Sequence, residues 1–371
     1  MRAIFALLVL ILFPAQLAAH EMRPAIATAD LRADGSFDLV ISLNLEAIMA
    51  GVGPEHADTK DSPQALEYDG LRALPPEELR DRFSAFAPRL ESEISLSPAA
   101  GPQTKLTTTG LSIPPVGDLE TSRISEITLR GLLPPNTDTV RWSFDPVFGD
   151  SVIRLRRAGE TDLFHSQYVS GPASSPISLV PGVERSVASV FAEYLRLGFI
   201  HIIPRGLDHI LFVVGLFLLS TRPSVLLWQV SAFTVAHTIT LALGSLGIVQ
   251  LSPAIVEPLI ALSIVYVAVE NLMATRLSAW RPVVIFGFGL LHGLGFASVL
   301  GEVGLTTGHF VTGLVAFNIG VELGQLSVIA ACLLGVGWAM QRPIYRQAVI
   351  IPGSTAIALI AAYWAVERTF A

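Results

Sequence analysis

Six long apolar runs, at roughly 206–220, 225–247, 253–273, 282–301, 308–338 and 348–366, fill the second half of this 371-residue chain, each bounded by Pro, Gly or a charge. A helix needs about 20 apolar residues to cross the hydrocarbon core of a bilayer, and in lipid every backbone polar group must be satisfied within the segment itself. The runs therefore predict an α-helical bundle of about six spans with the lipid bilayer as its solvent. The whole chain is 51% hydrophobic and 15% charged, too apolar for an ordinary soluble globule of this length. Charge is distributed as unevenly as hydropathy: residues 1–190 hold 16 Lys and Arg against 24 Asp and Glu, whereas 191–371 hold eight Arg, no Lys and seven acids. Two regions built for different solvents follow. The net charge of −7 comes from the first and reads as a solvated, like-charged surface; no nucleic-acid partner is expected.

The chain opens MRAIFALLVLILFPAQLAAHEMRPA: one Arg, about a dozen apolar residues, then small residues at Ala18 and Ala19. This is the layout of a secretory signal peptide over 1–19, with cleavage before His20. Residues 20–180 would then be exported. The single cysteine, Cys332, lies in an apolar run, so no disulfide is expected in the exported region, which at roughly 160 residues can bury a core without one. Its pattern is short alternating runs punctuated by Gly, Pro, Asp and Asn: AIATADL, FDLVISLNLEA, SEISLSP, TKLTTTGLSI, SRISEITLRGLL and TVRWSF. Period-2 alternation argues half-buried antiparallel strands, and Asp34-Gly35 signals a hairpin. The expectation is an all-β, sandwich-like domain with one helical insert at PPEELRDRFSAFAPRL, where Pro starts a helical-period pattern. The Pro- and Ser-rich SGPASSPISLVPG reads as a linker.

Arginines test the orientation. Arg222, Arg276 with Arg281, and Arg342 with Arg346 fall in alternate loops, while IVQLS and EVGLTTGH between them carry no Lys or Arg. With the arginines cytoplasmic, as the positive-inside rule asks, the first domain is periplasmic, both mature termini lie outside, and the bundle sits in a bacterial inner membrane. The first run is short, however: about 15 residues rise roughly 22 Å, against a core of about 30 Å. The preceding ERSVASVFAEYLRLGFIHI is amphipathic, and Pro204 and Gly206 interrupt any helix joining the two. Residues 181–205 are therefore expected to form a linker and an amphipathic or re-entrant helix leading into the 206–371 bundle, with His201, Asp208 and His209 on the irregular turn. Irregular backbone at membrane depth is tolerated where protein buries it or where it lines a cavity, and such breaks often make ion sites.

An Asp or Arg carried to the bilayer centre costs roughly 2.5–3.5 kcal/mol on insertion scales, so polar residues inside the runs need a reason. In SAFTVAHTITLAL, Ser231, Thr234, His237 and Thr238 share one helical face. In FGFGLLHGLGFAS, His292 lies beside a small-residue track of Gly289, Gly293 and Ala297, which lets another helix approach the imidazole closely. In FNIGVELGQLS, Asn318, Glu322 and Gln325 share a face, and the third run carries Glu257 and Glu270. A lone intramembrane His or Asn is often interhelical glue; several imidazoles and carboxylates in five of six spans point to a ligand. Neutral imidazole binds Ni²⁺, Co²⁺, Zn²⁺ and Cu²⁺, and a lack of thiolates argues against Cu(I). The candidate metal residues are His201, Asp208, His209, His237, Glu270, His292, Asn318 and Glu322. At a mature N-terminus, His20 would offer an α-amine and imidazole, with His56 or His165 as a further ligand.

The stretches GLDHILFVVGLFLL, FTVAHTITLAL, VEPLIALSIVYVAVEN and FGFGLLHGLGFA resemble, in order, the hydrogenase/urease accessory (HupE/UreJ) family of membrane proteins over about residues 190–370. The resemblance implies a secondary permease for nickel or cobalt, with His201, Asp208 and His209 as signature ligands and His237 and His292 in the later motifs. The signature departs from the family's His-Pro-x-x-Gly-x-Asp-His: HIIPRGLDH is one residue longer and its Pro is displaced. The large exported β-domain lies outside the compact permease pattern, and would bind a protein partner or deliver metal. A transporter rather than an enzyme is expected. Two alternatives stay open at this point: an intramembrane zinc-dependent hydrolase using the same ligand types, and a non-transporting metalloenzyme assembly factor.

Overall fold

The computed structural model describes residues 24–53, 59, 62–119, 121–183, 185–220, 222–274, 278–303 and 307–370. The signal-peptide reading of 1–19, His20 and His56 fall outside them. The chain divides into two compact units meeting at Ser186 and Val187.

Among the described residues, the first unit has nine strands in two sheets. Strands β1 (Ala25–Leu31), β2 (Ser36–Asn44), β4 (Thr107–Ser112), β5 (Ile124–Leu132), β7 (Ser151–Arg157) and β8 (Leu163–Val169) form a sheet of order β4-β5-β2-β1-β7-β8. Strands β3 (Ile94–Pro98), β6 (Thr139–Phe144) and β9 (Ile177–Ser178) form the other, in the order β3-β6-β9. Alternation drives the burial: Phe37, Leu39, Ile41 and Leu43 of β2 are buried, with Ser36, Asp38, Val40 and Ser42 between them more exposed. Both sheets contribute to one core with Leu79, Phe83 and Leu90 of the helical insert, which spans Pro76–Glu93. Trp142 of β6 is fully buried and its Nε1–H donates to Ser151 Oγ of β7 at 3.0 Å, joining the two sheets. The Asp34-Gly35 hairpin is as expected: Gly35 takes φ 83°, and Asp34 Oδ1 accepts from Ser36 N at 2.9 Å and Ser36 Oγ at 2.6 Å.

Three local expectations are corrected. The FDLVISLNLEA strand stops at Asn44, because Asn44 accepts from Ala47 N at 3.1 Å and caps a helix over Leu45–Ala50. A further helix occupies Ala65–Arg72. SGPASSPISLVPG is no free linker: Ser174 N donates to Trp142 O at 2.8 Å, Ser174 Oγ accepts from Trp142 N at 3.0 Å, and Ile177 pairs with Val140. Strands β7 and β8 were not anticipated, and β7 pairs in parallel with β1 from Ala25↔Ser151 to Leu31↔Arg157. The long excursion between β1 and β7 supplies the crossover that parallel pairing requires.

In chain order, the helices of the first unit are α1 (Leu45–Ala50), α2 (Ala65–Arg72) and α3 (Pro76–Glu93). The second unit comprises α4 (Val187–Ile202), α5 (Leu207–Leu219), α6 (Pro223–Ser245), α7 (Pro253–Met273), α8 (Arg281–Val303), α9 (Phe310–Val336) and α10 (Ile351–Phe370), the last entered through a π-helical turn at Arg346–Ile350. Pro223 and Pro253 occupy first-turn positions, where the missing N–H costs nothing. Among the described residues four of these helical stretches are long and apolar enough to cross a membrane, and five if α4 and α5, bent by 70°, count as one broken span, rather than the six expected; over Arg281–Ala297, α8 is a shorter apolar helix. Large apolar side chains such as Leu227, Val235, Ile239, Leu262, Val315, Leu323 and Leu359 are exposed on the bundle, which is the outward surface that a lipid solvent demands.

Within the β-unit, Arg123 and Glu46 form an almost fully buried ion pair at 2.6 Å, and Arg123 also donates to Leu74 O at 3.1 Å. Removing one partner strands the other charge in a low dielectric. Arg123→Ala is expected to lower the opening free energy of β2 and β5 by about 3–5 kcal/mol, measured by hydrogen exchange on the full-length protein. Unchanged protection would show that Glu46 is satisfied without Arg123.

Candidate metal centre

The break between α4 and α5 positions the first ligands. Pro204 ends α4, through a cis Ile203-Pro204 bond, and α5 starts after Gly206. A Cβ at Gly206 would collide with His201 O and lie 3.2 Å from Ile202 Cα, so only glycine permits the turn. The irregular backbone is satisfied by protein: Ile203 N donates to Phe199 O at 2.9 Å and Gly206 N to Ile202 O at 3.1 Å. His201 lies on the last turn of α4, and Asp208 and His209 on the first turn of α5. The expected irregular turn thus separates these residues rather than carrying them.

Close backbone packing sets the level of the break. Gly320 of α9 lies against Leu195 O and Phe199 N of α4, and Gly324 against Ile202. The two helices therefore run in the same sense, with α4 ending about halfway along α9. On the other side, Gly289 and Gly293 of α8 let that helix meet α6 at Phe233 O and at His237 O with Thr240 Oγ1. This is the small-residue track expected beside His292. Thr240 Oγ–H donates to Leu290 O at 2.7 Å across the same contact.

Four imidazoles converge. A ligand atom from each of His201, His209 and His237 lies within 4.8 Å of those of the other two, and the His292 ring lies 4.9 Å from that of His209, centroid to centroid. His209, His237 and His292 are at most 3% exposed. For three of them the Nδ1 partner can only accept. His209 Nδ1–H donates to Asp208 Oδ1 at 3.1 Å, His237 Nδ1–H to Asn318 Oδ1 at 3.1 Å, and His292 Nδ1–H to Phe288 O at 2.8 Å. Asn318 Nδ2 donates to Leu314 O at 2.8 Å, which fixes its amide with the oxygen toward His237. These tautomers leave Nε2 of His209, His237 and His292 as a lone pair, and in all four rings Nε2 is buried without a hydrogen-bond partner. Leaving a buried polar atom unsatisfied costs about 1–3 kcal/mol, so three such acceptors beside the His201 ring have the chemistry of a cation site. An acceptor behind the ring, as three of the four have, is also how metal-ligating histidines are usually held.

The other sequence candidates sort by distance from this cluster. Asp208 and Asn318 stand behind imidazoles rather than among the Nε2 atoms. Glu322 Oε1 accepts from Ser231 Oγ–H at 2.6 Å, and Thr234 Oγ bonds Gln325 Oε1 at 3.1 Å, so the polar faces of α6 and α9 meet each other. Glu270 is not brought to the imidazoles: it pairs with Arg281 at 3.0 Å, eleven residues before His292 on α8 and so roughly 16 Å along the helix. His165 is buried in β8 of the other unit, its pKa pushed down to about 3 by desolvation and then by Arg185. The displaced proline in HIIPRGLDH does not remove His201 from the cluster. Unforeseen in the sequence was an aromatic surround: Phe296 lies 4.2 Å from His201 and stacks on Phe317 at 5.2 Å, while Phe233 lies 5.0 Å from both His292 and Phe212. A signal for it exists, since a Phe precedes each imidazole by four residues in Phe233…His237 and Phe288…His292.

The packing makes a test of α8. A Cβ at Gly293 would strike His237 O and Thr240 Oγ1, whereas one at Gly287 meets nothing within 4 Å. Gly293→Ala is expected to destabilise the bundle by about 1–3 kcal/mol, with Gly287→Ala neutral or slightly stabilising, measured as thermal unfolding in detergent. Equal effects would contradict close α6–α8 contact.

Residues 180–368 match the model of the family described as HupE / UreJ protein. No curated protein and no solved structure matches the chain. The matched segment is half of the chain, reaches every described helix of the bundle and contains all four clustered imidazoles; the chain belongs to the HupE/UreJ family of membrane proteins.

Proposed function

We propose that this protein is a permease that carries a divalent transition metal, Ni²⁺ or Co²⁺ in the first instance, inward across a bacterial inner membrane. The observation that carries this reading is the convergence of His201, His209 and His237, with ligand atoms within 4.8 Å of one another, at a helix break halfway along α9. Discontinuous helices build substrate sites in many secondary transporters, and imidazole nitrogen suits borderline divalent ions. Lone pairs on buried Nε2 atoms would replace water ligands as the ion leaves solvent. The Asp208 carboxylate, one residue away from His209 and bonded to its Nδ1, would offset part of the ion's charge.

Direction follows from the arginines. Arg222, Arg281 and Arg346 belong to one end of the bundle and read as cytoplasmic, with the β-unit exported after removal of residues 1–19 and free to engage a protein partner or deliver metal. The membrane potential then favours inward movement by roughly 4.6 kcal/mol per divalent ion at 100 mV. No Walker-type phosphate loop occurs in the sequence, so the driving force in this reading is that potential or an ion gradient.

The test is metal uptake into proteoliposomes, comparing Ni²⁺, Co²⁺ and Zn²⁺. Wild type is expected to accumulate Ni²⁺ or Co²⁺, and His209→Ala and His292→Ala to lose that uptake while remaining monodisperse. Absent uptake by wild type, with stoichiometric bound Zn²⁺ lost in the same variants, would reassign the bundle to a zinc-dependent hydrolase.

A further inference from the structure

The three acceptors behind the imidazoles differ in kind. His209 donates to a carboxylate, His237 to the amide of Asn318 and His292 to the backbone carbonyl of Phe288. Only one of the three is charged. A carboxylate acceptor raises the basicity of the imidazole it holds and tightens a bound metal; such outer partners typically change affinity 10–100-fold. Asn318 is 5% exposed and held from both ends, by His237 Nδ1–H on its oxygen and by Leu314 O on its nitrogen. Its geometry is that of a fixed support, with the oxygen turned to the Nδ1 side of the ring.

We propose that Asn318 is a positioning residue that sets metal release: its neutral amide locks the His237 tautomer with Nε2 toward the cluster, while withholding the second carboxylate that would hold the ion too tightly for transit. A passing ion needs oriented ligands and a shallow well. Asp208 behind His209 supplies attraction on the α5 side, and Asn318 behind His237 supplies orientation without further charge on the α6 side. The inference rests on the transport reading above and names which residue keeps the site from becoming a trap.

The two functions of the amide separate in two variants. Asn318→Ala removes the acceptor, and is expected to weaken Co²⁺ binding to the detergent-solubilised full-length protein by about tenfold. Asn318→Asp keeps an acceptor and adds a charge, and is expected to tighten binding by about tenfold, slow Co²⁺ release to a chelator in proportion, and lower uptake at saturating metal. A purely structural role would weaken binding in both. Both variants moving in one direction, or neither moving while wild type binds Co²⁺, overturns the proposal. Should Asn318→Asp fail to give monodisperse protein, Asp208→Asn runs the same charge argument in reverse: it must weaken binding and speed release, and unchanged release overturns the proposal. Wild type that binds no Co²⁺ or Ni²⁺ sinks the transport reading itself, a result distinct from either of those.

Discussion

Buried imidazole nitrogens without protein partners, on His201, His209, His237 and His292, are the constraint around which the helical unit is arranged. In a medium without water each such atom is a liability, and four gathered in one place are stable only if something outside the chain completes them or if the surrounding packing leaves them no escape. The packing condition is visible. Gly289 and Gly293 bring α8 onto α6, Gly320 and Gly324 bring α9 onto α4, and Gly206 permits the turn that carries the chain from His201 to His209. At Gly206, Gly289, Gly293 and Gly320 the nearest neighbours include backbone, which holds position more firmly than a side chain that can change rotamer.

The same arrangement explains why a broken helix serves where a continuous one would not. A straight span would place His201 and His209 eight residues apart, roughly 12 Å along the axis. The 70° bend brings their rings to 4.9 Å. The residues of the break meet their own hydrogen bonds within α4 and the turn, so the irregularity is accommodated by protein rather than by lipid.

Much of this was legible in the sequence. Run lengths located the apolar helices but overcounted the spans, six against four or five among the described residues; Pro204 and Gly206 marked the break, and the three- and four-residue spacing of Ser231, Thr234 and His237, and of Asn318, Glu322 and Gln325, identified the faces of α6 and α9 that bond to each other. Spacing within one helix carries no information about which helices are neighbours, so it does not separate Glu270, which pairs with Arg281, from residues that reach the imidazoles. Nor does spacing separate a ligand from its support: Asp208 and Asn318 bond the Nδ1 atoms of His209 and His237. In the β-unit, alternation found β1 to β6, whereas β7 and β8 were hidden because SVIRLRR puts Val152 and Ile153 side by side and spaces arginines among its apolar residues. Part of the reason is Arg156, which pairs with Asp30 on the neighbouring strand at 2.6 Å. That partner lies far away in sequence.

The most direct test of the central claim is X-ray absorption at the nickel edge of full-length protein loaded with one Ni²⁺. A first shell containing at least three imidazole nitrogens, with their outer-ring scattering, is the predicted result. A shell of oxygen alone, or a protein that retains no Ni²⁺, would contradict the assignment of these histidines to a metal site.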